Sequence, residues 1–264
     1  MSLTKRQILS AALGLALAAS AGLAQAQTAL ADIQKNKLIK VAVPTDYPPY
    51  GFVGVDMAPQ GLDIDMARLI ADKLGVKLEL VPVSSPNRIP YLQSKKADLV
   101  ISTLGKNPER EKVINFTAAY SPFFQGIFGP KSAKLTSLAE LAGKSVGATR
   151  GAIEDQELTK LAPAGTEIKR FEDNNATVAA FVAHQTQFIA TGVSVAEVMM
   201  QRNPALGAEF KLLLKESPNH IGVAKGEDAL LAKVNEIIAQ AKAAGELDKL
   251  SQKWLKRPAG NLPQ

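Results

Sequence analysis

Arg110 is the residue of this chain whose surroundings ask most plainly for a ligand. It lies in "ADLVISTLGKNPEREK" (97–112), where an apolar run changes character at Ser102. Ser102 and Thr103 bring hydroxyls, and Gly105 lets the backbone come close to whatever binds there. Asn107 and Pro108 suit the cap and the first position of a short helix, whose first N–H groups have no internal partners. Arg110 then falls in the first turn, where a cation beside the positive end of the helix costs about 0.3 kcal/mol or more. An anion at the same place reverses that cost, and a guanidinium fork fits a carboxylate bidentately. A second reading pairs Arg110 with Glu109 or Glu111 on a solvated turn. Local spacing leaves both open.

Other reactive-looking groups have simpler readings. Asp63 and Asp65 read as the acidic first turn of an amphipathic helix rather than a catalytic pair. His184 and His220 are the only histidines and there is no cysteine, so no zinc site is expected and both histidines read as surface or loop residues. "GATRG" (147–151) has the outline of a nucleophile elbow with Thr149 in the serine place, but no base and orienting acid accompany it. Tyr47, beside the fixed turn of Pro48-Pro49, is the aromatic expected to face a cleft, ahead of Tyr50 and Phe52.

The elements that position these groups follow from periodicity. "LIKVAV" is a short apolar strand. In "GLDIDMARLIADKLG" Leu62, Met66, Leu69, Ile70 and Leu74 fall at helical spacing and Gly75 marks the stop. "VKLELVPV" alternates as a strand, "NRIPYLQSKK" reads as a short helix, and "ADLVIST" as a strand buried on both faces. The order repeats after Pro130, with "SLAELAG", "DQELTKLA" and "NATVAAFVAHQ" helical and "KSVGATRG", "TEIKRFE" and "TQFIATG" as strands. "FFQGIFGPKSAK" between the halves reads as an extended crossover or hinge. In the last segment Leu230, Leu231, Val234, Ile237, Ile238 and Ala241 form one helical face that breaks at Gly245. Two α/β lobes are therefore expected, each with a mainly parallel sheet flanked by helices, and ligands bind such sheets at the carboxyl ends of the strands.

Composition narrows the function classes. Residues 1–26 carry Lys5 and Arg6, an apolar run and Ala24-Gln25-Ala26, the pattern of a signal peptide cut before Gln27, so the chain is expected in the periplasm. The formal net charge is +6, of which those residues supply +2, and the remaining basic residues are scattered. That pattern speaks against a nucleic-acid groove. With no cysteine there is no disulfide framework, and the core must hold the fold.

In order along the chain, "TDYPPYGF", "GLDIDMARLIADKLG", "NRIPYL", "KKADLVISTLGKNPEREKVINFT", "KSVGATRG" and "GELDKLSQKWL" resemble the periplasmic solute-binding proteins of the amino-acid type, bacterial extracellular solute-binding family 3, which feed ABC importers. The resemblance implies a clamshell with two crossover strands: 27–126 and 221–264 in lobe one, 127–220 in lobe two. It implies no enzyme activity, no cofactor or metal, a monomer, and a membrane permease as partner. It gives Arg110 the ligand α-carboxylate, with Ser102, Thr103 and Gly105 beside it and Tyr47 packed on the ligand. In the branch that takes acidic amino acids, Arg88 of "NRIP" reaches a side-chain carboxylate and Asn174 contacts the ligand. Arg150, Gly151 and Ala152 match the second lobe's binding turn.

The chain also departs from that pattern. Thr191 and Gly192 stand where an aspartate usually pairs with the ligand's ammonium, Pro44 where an acidic residue is common, and Ala152 where a hydroxyl is usual. Asp46 is then the candidate partner for an ammonium, because an unpaired buried charge is costly. A ligand with a carboxylate and no amine is the other reading. The rival functions are an enzyme like cyclohexadienyl dehydratase on the same scaffold and a sensing role with a receptor.

Overall fold

The computed structural model describes residues 28–263, and the signal-peptide reading of residues 1–26 lies outside them. The described residues begin with α1 (Ala29–Asn36) and β1 (Leu38–Val43), then a small antiparallel sheet of β2 (Asp46–Tyr47), β3 (Gly51–Val53) and β4 (Pro59–Gln60). Next come α2 (Leu62–Leu74), β5 (Lys77–Pro82), α3 (Arg88–Gln93), β6 (Leu99–Gly105), α4 (Pro108–Glu111) and β7 (Ile114–Ser121). The middle of the chain contributes β8 (Phe124–Pro130), β9 (Ser145–Thr149), α5 (Ile153–Leu161), β10 (Glu167–Phe171), α6 (Asn174–Val182), β11 (Phe188–Gly192), α7 (Val193–Arg202) and β12 (Ala208–Glu216). It closes with β13 (Asn219–Ala224), α8 (Asp228–Ala243) and α9 (Glu246–Leu255).

Two sheets of five strands result, ordered β5-β1-β6-β13-β7 and β10-β9-β11-β8-β12. They are mixed rather than wholly parallel. β13 runs antiparallel to both β6 and β7, and β8 antiparallel to both β11 and β12. The reversed strand in each sheet is the one that has just crossed from the other lobe, which leaves the remaining strands pointing their carboxyl ends toward the seam. The chain crosses between Ser121 and Phe124 and returns between Glu216 and Asn219.

Strand alternation builds the cores. In the first lobe Ile39, Val41, Val43, Leu99 and Ile101 face one cluster, while Ala42, Val100 and Leu104 face another on the opposite side of the sheet. In the second, Val146, Ala148, Phe188 and Ala190 lie on one side and Phe128 and Ile189 on the other. The C-terminal helices return to the first lobe, where Val234, Ile237, Ile238 and Leu247 pack with Met66 and Ile70 of α2.

The differences from the sequence reading are local. "SLAELAG" makes only a 3-10 turn at Leu138–Leu141. β12 escapes a periodicity search because it is an edge strand with two register shifts that leaves Phe210 and Leu213 exposed. His220 is corrected: it is buried in β13 with Nδ1 2.8 Å from the Thr117 carbonyl, while His184 is exposed.

Candidate functional site

At the end of β6 the sequence signals are realised. The side chain of Asn107 accepts from the Arg110 N–H at 2.9 Å, and Pro108 starts α4. Arg110 is 4 % exposed, as is Arg88 of α3. The surface pairing of Arg110 with Glu109 or Glu111 is not made, since Glu109 takes Lys112 and Glu111 takes Lys106.

The two guanidiniums spend their donors differently. Arg88 donates through Nε to the Ser85 carbonyl, through Nη1 to the carbonyls of Ser102 (2.9 Å) and Thr103 (3.3 Å), and through Nη2 to that of Gly151 (3.2 Å). Arg110 donates through Nη1 to the Gly105 carbonyl and through Nη2 to Gly151 (3.0 Å). Of five N–H groups each, Arg88 keeps one without a partner among the described residues and Arg110 keeps three. Burial, and then the neighbouring charge of Arg88, pull the Arg110 guanidinium down to about 9, while Glu154 acts in the opposite sense. Two like charges held together out of water call for anions nearby.

Gly151, at φ +71, presents its carbonyl to both arginines from the second lobe. A side chain at Gly105 would meet Ser217 Oγ at 2.6 Å and Ile153 Cγ1 at 2.9 Å, so the lobes approach as closely there as a bare backbone allows. A groove of about 350 Å³ opens on this part of the seam, with Arg88, Arg110, Gly151 and Gln156 in its wall. Thr103 holds a left-handed φ of +43, which costs a β-branched residue about 1–3 kcal/mol. Its N–H donates to Asp63 Oδ2 at 2.9 Å.

Tyr47 forms the other bridge. Its hydroxyl accepts from the Gly192 N–H at 3.0 Å, lies 3.2 Å from Thr191 Oγ1, and donates to Glu154 Oε1 at 3.3 Å. Its ring stacks on Tyr50 at 6.0 Å between centroids. Asp46 does not face this centre. It caps α6 across the seam, accepting from the Asn174 N–H (2.8 Å) and from Asn174 Nδ2 (2.9 Å).

Of the residues expected in the site, the fold therefore gathers Tyr47, Arg88, Ser102, Thr103, Gly105, Arg110, Gly151, Ala152 and Thr191 at the seam. Asn174 joins it through Asp46. Arg150 does not, because its exposed side chain pairs with Glu172 at 2.7 Å.

Two buried acids complete the picture, and sequence reasoning missed the role of both. Asp63 is fully buried and accepts from Tyr120 Oη at 2.7 Å as well as from Thr103, and burial pushes its carboxyl up to about 7. Glu154, in the first turn of α5, is 4 % exposed. Burial raises its carboxyl too, against the pull of its own backbone N–H, Arg88, Tyr47 and Arg110. The signal that could have found Glu154 is its place three residues past the Gly151 turn. It was masked by Asp155 and Glu157, acids of the same helix that serve ordinary ends: Asp155 accepts from the Gly151 N–H and pairs with Arg170, and Glu157 pairs with Lys215.

Among the described residues no group of three or more His, Asp or Glu side chains is placed to hold a metal ion, and no helix is long and apolar enough to cross a membrane.

Comparison with known proteins agrees with this architecture. The family model described as "Bacterial extracellular solute-binding proteins, family 3" matches residues 39–257. The ABC transporter glutamine-binding protein GlnH of Bacillus subtilis (strain 168) is 30 % identical over 232 residues, covering 86 % of this chain and 84 % of the relative. An ancestral arginine-binding protein bound to arginine superposes with a TM-score of 0.79 at 33 % identity, covering 83 % of this chain and 98 % of the other. The cysteine-binding protein of Campylobacter jejuni, at 24 % identity, shares the fold with a TM-score of 0.82 over 87 % of this chain and 93 % of its own.

Proposed function

This chain belongs to family 3 of the bacterial extracellular solute-binding proteins, and from that premise we propose that it captures a free α-amino acid in the periplasm and hands it to the membrane permease of an ABC importer. Two of the proteins named above are a glutamine-binding protein and an arginine-binding protein, and the shared part of their ligands is the amino-acid head group. The observation that carries the reading is Arg110: a buried guanidinium at the seam, in the short helix that follows a core strand, with three N–H groups to spare among the described residues. Such a group suits a carboxylate accepted in two bonds.

Arg88 suits a different task. With four donors on backbone carbonyls it fixes the strand end beside Arg110, and one remaining N–H is too few for a second bidentate clamp. The ligand favoured by these donors has a side chain without a carboxylate. Ser102, Thr103 and Gly105 shape the carboxylate end, and Tyr47, Thr191 and the Gly151 turn close over it. Closing the lobes on a ligand removes its charges from water, so the ligand stabilises the closed form through contacts made to both halves. The protein acts as a monomer and uses no cofactor.

Thermal unfolding of the purified chain against amino acids and amine-free carboxylates tests the reading. At about 100 times its dissociation constant a ligand adds roughly 2.7 kcal/mol of stability. A raised melting temperature with one or a few L-amino acids is the expected result, and no shift with any carboxylate would refute it.

A further inference from the structure

The chain lacks an aspartate at the end of β11, where Thr191 and Gly192 stand, and Asp46 is engaged at the N-terminus of α6. An amino acid whose carboxylate lies on Arg110 still brings an ammonium into a closed seam, and that ammonium needs an acceptor. Two buried acids are available. Asp63 already accepts from Tyr120 and from the Thr103 N–H, one on each oxygen. Glu154 accepts from its own backbone N–H and, among the described side chains, only from Tyr47, through Oε1 at a long 3.3 Å, so Oε2 has no side-chain donor among the described residues.

Glu154 also has the right place. It projects from the second lobe, while Arg110 projects from the first, and each feels the other's charge. The second lobe holds a further group with unspent capacity. Gln125 of β8 is fully buried, and neither its amide oxygen nor its amide nitrogen has a partner among the described residues. It pairs in register with Gly192, whose N–H reaches the same Tyr47 hydroxyl that meets Glu154. It also pairs with Lys215, whose ammonium reaches Glu157 on the next turn of the Glu154 helix.

We propose that Glu154 is the residue that receives the ligand's α-ammonium, with the Tyr47 hydroxyl and the Gln125 amide as neutral acceptors beside it, so that the amine is read from the first turn of α5 rather than from the end of β11. This rests on the reading of the seam as an amino-acid site. It makes Glu154 a specificity residue: it distinguishes an amino acid from the 2-hydroxy or 2-oxo acid of the same shape. The charge count agrees. Above about pH 7, where Asp63 is ionised, Arg88, Arg110, Asp63 and an ionised Glu154 sum to zero, and a zwitterion of zero net charge preserves that balance on closure, whereas an amine-free carboxylate leaves a net negative charge buried.

Titration calorimetry on the full mature chain decides it. The probes are the standard L-amino acids. Each that binds is repeated as its 2-hydroxy and 2-oxo counterparts, alongside lactate, phenyllactate and succinate. Wild type is expected to prefer the amine by about 30-fold or more, the range for a desolvated charge pair that loses one partner. Glu154→Gln should shrink that preference to within about 3-fold while leaving the affinity for the 2-hydroxy acid nearly unchanged, and Glu154→Asp should fall between the two. A role limited to neutralising the arginines predicts that both ligand types change together in Glu154→Gln, and that result overturns the proposal. So does a wild type that binds the amine-free acid as tightly as the amino acid, which needs no variant to fold. In that case the carboxylate reading of Arg110 survives; only if no carboxylate binds at all do both readings fall.

Discussion

The two lobes carry sheets of the same strand order, yet the groups they bring to the seam have opposite charge. The first lobe supplies Arg88 and Arg110 around the end of β6, and the second supplies Glu154 with the hydroxyl of Thr191 and the carbonyl of Gly151. Strand order alone therefore sets where a ligand lies and not which end of it each lobe reads. A cation-bearing strand end facing an acid-bearing helix turn suits a ligand that is itself a dipole, and the lobes need that ligand, or each other's backbone, to satisfy what they bury.

Within the first lobe the two arginines differ in kind, and removing them one at a time should separate binding from folding. Arg110→Ala is expected to weaken amino-acid binding by about 30-fold or more, read by calorimetry, because the ligand carboxylate loses its counter-charge. Its effect on stability without ligand should be the smaller of the two. Arg88→Ala should do the reverse. It strips three backbone carbonyls of the first lobe of their donor and leaves Asp63 without a nearby cation, so urea unfolding without ligand should show a loss of about 3 kcal/mol. Equal effects of the two substitutions on both measurements would erase the distinction.

Tyr47→Phe touches the contact between lobes. Without the hydroxyl, the Gly192 N–H and Thr191 lose a partner in the closed seam, at a cost of about 1–2 kcal/mol and roughly a tenfold loss of affinity for the amino acid. An unchanged affinity would mean that the seam does not close through this residue.

The last effect lies behind the cleft and depends on pH. Asp63 titrates near 7 in the folded chain against 3.8 ordinarily, so between those values the folded protein holds a proton that the unfolded chain has released. Its contribution to stability is complete below about pH 4 and is lost as the pH rises through about 7. The stability difference between wild type and Asp63→Asn should accordingly fall by at most about 1.4 kcal/mol per pH unit over that window and level off above it. Comparing with the variant cancels His220, whose depressed value works in the opposite sense below its ordinary 6.5. Urea midpoints between pH 4.5 and 8.5 provide the check, and a difference that grows with pH would contradict the assignment.

Much of the first lobe's side of this comparison could be read from the residues alone. The Asn107-Pro108 signature fixes a cap, the cap fixes where Arg110 starts, and a strand that opens as an apolar run leads there; each step is local. The second lobe resisted such reading for a physical reason. Acids in a first helical turn are favoured by the helix whatever their tertiary role, so Glu154 and Asp155 look alike in sequence and part company only when α5 is laid against the sheet. Asp63 and Asp65 repeat the lesson two residues apart: one is sealed behind Thr103, and the other takes Lys253 and the Trp254 indole of α9. Arg150 is the converse, a charged residue in the right motif whose side chain turns outward to Glu172.

The most direct test of the charge division across the seam is a crystal structure of the closed chain with the L-amino acid that most raises its melting temperature. The ligand's carboxylate should lie within hydrogen-bond distance of Arg110 in two bonds, and its ammonium on the Glu154 carboxylate. A carboxylate held by Arg88 with Arg110 uninvolved, or a ligand bound wholly within one lobe, would contradict the account.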